Sequence, residues 1–215
     1  MSTKIICLAN SKKYGERCVA GIEVEESGNV FEIVRYGTGA KWIRPVSQSG
    51  YGEFPVRIAR DIKLLDVIEM NILSYCPSGY QTENAYFEGN SVRHVSSIQL
   101  SSSNLDQLTS NYNLLFGNRG KAVNVDVIDS ITYSLVFIKV EEYDVYIKQE
   151  NNQLRMKFTH QFIEYDFPIT DIQFEILYRN NQNMFQNINH LYLTISLAVE
   201  YNGWHTKLIA GIIYL

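Results

Sequence analysis

Asn10, Ser11, Lys12, Lys13 and Arg17 crowd one short stretch, ANSKKYGERCVAG, near the start of a chain whose net charge is −4. Lysine and arginine there would meet phosphates, while Asn10 and Ser11 would bond to a base edge or a sugar. A second cluster, Lys41, Trp42 and Arg44 in KWIRPVS, sets an indole between two cations. On a strand, Trp42 and Arg44 share one face and Lys41 and Ile43 the other. Indole and guanidinium on one face can sandwich a base, and such stacking is worth about 1–3 kcal/mol per base. A third group, Trp204, His205 and Lys207, follows the glycine of NGWHTKL. His205 and Lys207 share a strand face there, with His205 a hydrogen-bond donor or proton carrier. Each cluster has a plainer alternative: a solvated charged loop, a core tryptophan with an arginine snorkelling past it, and a structural histidine.

Motifs for catalysis are scarce. Cys18 beside Arg17 could have a lowered thiol pKa, though a small buried thiol in an alternating strand explains it as well. The four histidines and three cysteines lack metal-ligand spacing, so no metal and no cofactor is expected. Neither GxxxxGK[ST] nor GxSxG occurs. Asp61, Asp66 and Glu69 form no recognisable nuclease pattern. No catalytic residue is assigned.

The elements that must position these clusters read mostly as strands. KIICLAN, residues 4–10, is a short buried run that should end at Asn10, leaving the lysines on a loop. RCVAGIEVEE alternates as a half-buried strand, and VFEIVRY and KWIRPVS read as two more on either side of the turn GTG. LLDVIEMNIL is a further strand, and NAYFEG and RHVSSIQL are short ones. SSNLDQLTSNYNLLF differs: Leu105, Leu108, Tyr112 and Leu115 approach helical spacing, with serines as cap and Gly117 as stop. From Tyr133 the strand signal returns. SLVFIKVEEYDVYIKQ and QLRMKFTHQFIEYDFPI read as a hairpin about the turn ENN. DIQFEILYRN fits a strand or a short helix. HLYLTISLAVEYNGWHTKLIAGIIYL closes the chain as a hairpin turning at YNG.

Composition agrees. Fifteen Tyr and ten Phe favour pleated, half-buried surfaces. The negative net charge argues against a general basic coat for DNA but leaves room for a local basic site. Three cysteines without a CxxC pair favour a reducing cytoplasm over a disulfide scaffold. Met1 followed by polar residues predicts no signal peptide, and no apolar run nears the roughly 20 residues of a membrane helix. The organisation expected is an N-terminal half over 1–100, a helical connection over 101–130 and a C-terminal half over 131–215.

CLANSKKYGERCVAGIEV, then KWIRPVS, then LYLTISLAVEYNGWHTKLIAGII resemble, in that order, the dual OB-fold domain family of bacterial proteins. In that family the opening motif runs approximately Cys-Leu-Ala, a short polar basic stretch, Gly-Gly-Arg-Cys, then Ala-Gly. Here it is Gly15-Glu16-Arg17-Cys18, with Glu16 in place of the second glycine. The resemblance implies a mainly β fold of two OB-like barrels packed as one unit, with a short helix in the middle. It also implies nucleic-acid binding in a bacterial defence or RNA-repair setting.

The expectation is therefore a cytoplasmic, non-catalytic module for RNA or single-stranded DNA. Its surface would comprise Asn10, Ser11, Lys12, Lys13, Arg17, Lys41, Trp42, Arg44, His205 and Lys207. Two alternatives stay open: an enzyme acting on nucleotides or nucleic acid with Cys18 or His205 as the reactive group, and an interaction or sensor subunit beside a protein effector encoded nearby.

Overall fold

The opening apolar run extends further than its hydropathy predicts. In the computed structural model, which describes residues 2–28, 30–37, 39–50, 52–185 and 188–215, strand β1 covers Ser2–Lys13. Asn10 and Ser11 are buried, and the Asn10 amide donates to the carbonyls of Ala59 (2.8 Å) and Ile62 (2.9 Å). Those bonds hold the chain extended past the expected stop. It reverses only at Tyr14 and Gly15, with φ of 47° and 83°, the left-handed pair that suits a two-residue hairpin turn. The expected cationic loop is thus a hairpin end, with Lys12 paired to Arg17 and Lys13 to Glu16.

Two compact units make up the chain, Met1–Ser101 and Ser102–Leu215. In the first, β2 (Glu16–Ser27), β3 (Val30–Ile33), a small ribbon of β4 (Arg35–Tyr36) and β5 (Gly39–Ala40), and β6 (Trp42–Val46) follow β1. Then come α1 (Val56–Ala59), β7 (Asp66–Tyr75), β8 (Asn84–Phe87) and β9 (Arg93–Ser97). β1 pairs with β2 and β7, β2 with β6, β6 with β8 in parallel, and β8 with β7. Those pairings close a ring of five strands. The ring order, first-second-third-fifth-fourth, is that of the OB barrel.

Closure needs curvature, and β1 supplies it with a bulge between Cys7 and Ala9. Opposite that bulge, a Cβ on Gly21 would lie 2.1 Å from the Ile6 carbonyl oxygen, so only glycine allows this approach. Inside sit Ile5, Cys7, Val19, Ile43, Phe54, Met70 and Phe87, with the Phe54 and Phe87 rings stacked 4.7 Å apart.

The second unit runs α2 (Ser102–Asp106), β10 (Ala122–Asn124), β11 (Leu135–Val140), β12 (Tyr143–Lys148), β13 (Gln153–His160) and β14 (Ile163–Pro168). It ends with α3 (Ile172–Asn180), β15 (Leu191–Tyr201) and β16 (Trp204–Tyr214). β11 pairs with β15, β15 with β16, β12 with β13, and β13 with β14. With β11 and β12 as the two halves of one bent strand, the order matches the first unit. Here the ring is more open: among the described residues β14 and β16 form no ladder, and beyond the end of β14 the parallel bridge Ile169–Ile209 and the Thr170 bonds to Ile209 join the two.

Several sequence expectations need correction. The helix expected over SSNLDQLTSNYNLLF is confined to α2, five residues long, and Phe116 and Gly117 further along have φ of 51° and 73°. Residues 102–130 belong to the second compact unit. QLRMKFTHQFIEYDFPI is two strands, not one, broken at Gln161 and Phe162. DIQFEILYRN resolves as α3, because Asp171 caps it by accepting from the Phe174 N–H at 3.0 Å. The closing hairpin turns at Asn202 and Gly203, within the YNG motif. The aromatics fill the interior: Phe158, Tyr165 and Phe167 meet with ring centroids 5.3–5.7 Å apart. Among the described residues, no helix is long and apolar enough to cross a membrane.

Candidate functional site

In the first unit, the residues chosen from sequence divide into accessible and internal ones. Lys12 is exposed, and Lys13, Arg17, Lys41 and Trp42 are half-buried. The Arg17 backbone bonds in both directions to Phe54, at 3.1 and 2.8 Å, which ties the hairpin to the segment leading into α1. Lys41 is ion-paired to Glu23 at 2.6 Å and donates to the Tyr75 hydroxyl at 2.8 Å. Partial burial pulls the Lys41 pKa down, but the bonds to Glu23 and Tyr75 outweigh it and the net shift is upward. Arg44 is 3% exposed and paired with buried Glu83 at 2.9 Å, so its guanidinium is not a surface cation. Asn10 and Ser11 are likewise internal. The side chains of Asn10, Ser11 and Arg44 therefore leave the ligand-facing set.

His205 and Lys207 belong to the second unit and share a strand face as expected, but that face points inward. His205 is buried, with Nδ1 3.0 Å from the Ala198 carbonyl. Lys207 is fully buried, its Nζ 5.6 Å from the Tyr165 ring centroid and 5.8 Å from that of Phe167. Burial lowers its pKa to about 7. Nζ donates to both the carbonyl and the Oδ1 of Asn118, each at 2.9 Å. Asn118 Oδ1 also accepts from the Gly120 N–H at 2.7 Å. Lys207 thus pins the loop that carries Arg119 and Lys121. Its role is positioning, since both it and His205 are buried.

That loop borders a concavity of about 310 Å³ lined by Arg119, Lys121, Tyr146, Lys148, Arg155 and the strand Glu164–Phe167. Alternation and register bring these residues together. Tyr146 and Lys148 point outward from β12, Arg155 outward from β13, and Glu164 and Asp166 outward from β14. Tyr146 faces Arg155, Arg155 faces Pro168, and Lys157 faces Asp166 across the strands. Asp166 holds the centre: Arg155 Nε donates to Oδ1 at 2.9 Å and the Tyr146 hydroxyl to Oδ2 at 2.8 Å. Arg155 also donates to the Asp166 carbonyl (2.8 Å) and to Gln153 (2.9 Å), so its plane is fixed. Burial first, then the bond to Asp166, raises the Tyr146 phenol pKa, which keeps it protonated at neutral pH.

Around this fixed centre Arg119, Lys121 and Lys148 are exposed. Among the described residues, their side chains have no ion-pair partner. The lining holds four basic and two acidic side chains, and Asp166 is already engaged by Arg155 and Tyr146. The arrangement suits a polyanion with planar groups: free cations at the rim, a tyrosine ring and an ordered guanidinium on the floor. The sequence reading missed this set. The available signal was the outward alternation of Tyr146 and Lys148 before the turn and of Gln153, Arg155 and Lys157 after it. The turn residue Asn152 is held by Arg179 of α3, which donates to its carbonyl at 2.8 Å.

No curated protein matches the chain. Among solved structures, it is similar to the crystal structure of the tetrameric p202 HIN2, at 10% identity and a TM-score of 0.34, covering 100% of this chain and 92% of that one. It is also similar to a chain of the Replication Protein A heterotrimer bound to ssDNA, at 11% identity and a TM-score of 0.39, covering 100% of this chain and 48% of that one. Likenesses this distant carry no argument about function. The family comparison is stronger: the model of the dual OB-containing domain matches residues 3–212. With that match over nearly its whole length, and with the OB strand order in both units, the chain belongs to the dual OB-containing domain family.

Proposed function

We propose that this protein binds single-stranded RNA or DNA on the outer face of β12–β14. The observation that carries this reading is the concavity of about 310 Å³ rimmed by Arg119, Lys121 and Lys148, which have no ion-pair partner among the described residues. OB barrels take oligonucleotides on the face of their second and third strands and on the adjoining loops, and the concavity occupies that face of the second unit. Phosphates would meet the three rim cations, and a base would stack on Tyr146 against Arg155. Lys12 and Lys13 at the β1–β2 hairpin end, with Arg17, Lys41 and Trp42, form a second contact in the first unit. The defence or RNA-repair setting rests on the family resemblance. An odd number of cysteines with no CxxC pair supports a reducing compartment.

The test is fluorescence anisotropy with labelled oligo(U) and oligo(dT) over a salt series. Three phosphate contacts on a single strand give a slope of log K against log[salt] of about −2. The Arg119→Ala, Lys121→Ala, Lys148→Ala triple variant should lose most of the affinity and most of that slope. Lys12→Ala with Lys13→Ala should weaken binding less. Absence of binding by the wild type at low salt, or a triple variant that binds normally, refutes the reading.

A further inference from the structure

Resting on that nucleic-acid reading, we propose that Phe162 is a base-stacking platform beside the cationic concavity of the second unit. Its side chain is 99% exposed, although phenylalanine is among the residues most often buried. It occupies the turn between β13 and β14, where Gln161 and Phe162 have φ of 50° and 61°. A two-residue turn of this kind favours Asn-Gly, and a bulky aromatic with positive φ is a backbone outlier. Neither burial nor turn chemistry therefore accounts for a phenylalanine here. Strain combined with full exposure of a ring is the pattern expected of a contact residue.

Placement gives the contact its chemistry. Glu164, two residues on, lines the concavity, so the Phe162 backbone stands within about 7 Å of the strand that borders it. A second ring is tied to this hairpin: the Tyr112 carbonyl lies 2.9 Å from Nε2 of His160, and Tyr112 is 39% exposed and stacked on Tyr133 at 4.5 Å. Outward neighbours of Phe162 along the hairpin are polar, among them Gln161, Glu164, Thr159 and Lys157. An isolated ring on a polar, cation-bordered face suits one nucleobase, whereas a protein anchor would sit within an apolar patch. Because every base has a π-face, Phe162 adds affinity with little sequence preference.

The experiment measures binding of the full chain to labelled oligo(U) of about 12 nucleotides, and to an abasic strand of equal length, at low salt. Phe162→Ala should weaken oligo(U) binding by about 5- to 140-fold, the range for loss of one stacked base. The salt slope should be unchanged, because no cation is removed. Phe162→Leu should be as weak as alanine, Phe162→Trp should restore binding, and the abasic strand should bind all four proteins alike. Thermal melting of Phe162→Ala should match the wild type, since the ring has no packing to lose. Phe162→Ala binding oligo(U) like the wild type overturns the inference, as does full rescue by leucine or an equal loss on the abasic strand. If the rim-cation triple variant loses binding while Phe162→Ala does not, only the role of Phe162 falls. If the wild type binds neither strand, the interface reading falls and the stacking role with it.

Discussion

Lys207→Met should flatten the pH dependence of the second unit's stability. In the fold, burial lowers the pKa of this lysine from 10.5 to about 7, so between these values the unfolded chain holds more protons than the folded one. Stability from this group therefore rises with pH across that window, and below pH 7 the full cost of burying the charge is present. At pH 7 that cost is about 4 kcal/mol and at pH 9 about 2 kcal/mol, so the wild type gains about 2 kcal/mol over the two units. Methionine has no proton to gain. It also leaves the two Asn118 oxygens without the lysine donor, but that loss is independent of pH. The assay is denaturant unfolding from pH 6.5 to 9.5 followed by Trp204 fluorescence in a Trp42→Phe background, where Trp204 is the remaining tryptophan and lies in the second unit. Other titrating groups contribute to both proteins and cancel in the difference. Parallel stability curves for wild type and Lys207→Met would refute the reasoning, because they would mean that Lys207 stays charged in the fold.

Further outcomes follow from two buried polar sites. Glu83→Gln leaves the Arg44 guanidinium buried without its carboxylate and should cost the first unit about 3–5 kcal/mol in urea unfolding. Replacing both partners by Arg44→Met with Glu83→Leu should recover much of that loss. Asp171→Ala removes the acceptor of the Phe174 N–H and, at 2.9 Å, of the Ile212 N–H, and should cost about 2–4 kcal/mol. Burial raises the Asp171 pKa from 3.8 to about 6, so its stabilising contribution is fully present below pH 3.8 and declines as pH rises through 6. Asp171→Asn should remove that decline.

Local alternation carried the strand reading far. RCVAGIEVEE, LLDVIEMNIL and the closing hairpin about YNG each appear as strands, because period-two hydropathy depends only on which face meets a core. The position of the strand ends was less legible. Lys12 and Lys13 read as a loop, yet they extend β1 because Asn10 is buried against the carbonyls of Ala59 and Ile62, about fifty residues away. Likewise, no glycine, proline, asparagine or aspartate marks Gln161 and Phe162 as a turn, so two strands read as one.

The interface divides in the same way. Sequence alone determined the fold class, the family resemblance and the presence of cations and aromatics in a chain of net charge −4. Tertiary structure decided which of those cations face outward. Arg44 and Lys207 are as basic in sequence as Lys148, but Glu83 neutralises one, and burial against Tyr165 and Phe167 makes the other a support for the Asn118 loop. Arg119 and Lys121 lie on the Asn118 loop and Lys148 and Arg155 on the β12–β13 hairpin, and the two pairs meet only because the register sets Tyr146 beside Arg155 and the Asn118 loop beside β16. Hydropathy is a property of each residue with its near neighbours, and so it is written in the chain. Convergence of charge is a property of strand pairing across the barrel, and only the folded chain supplies it.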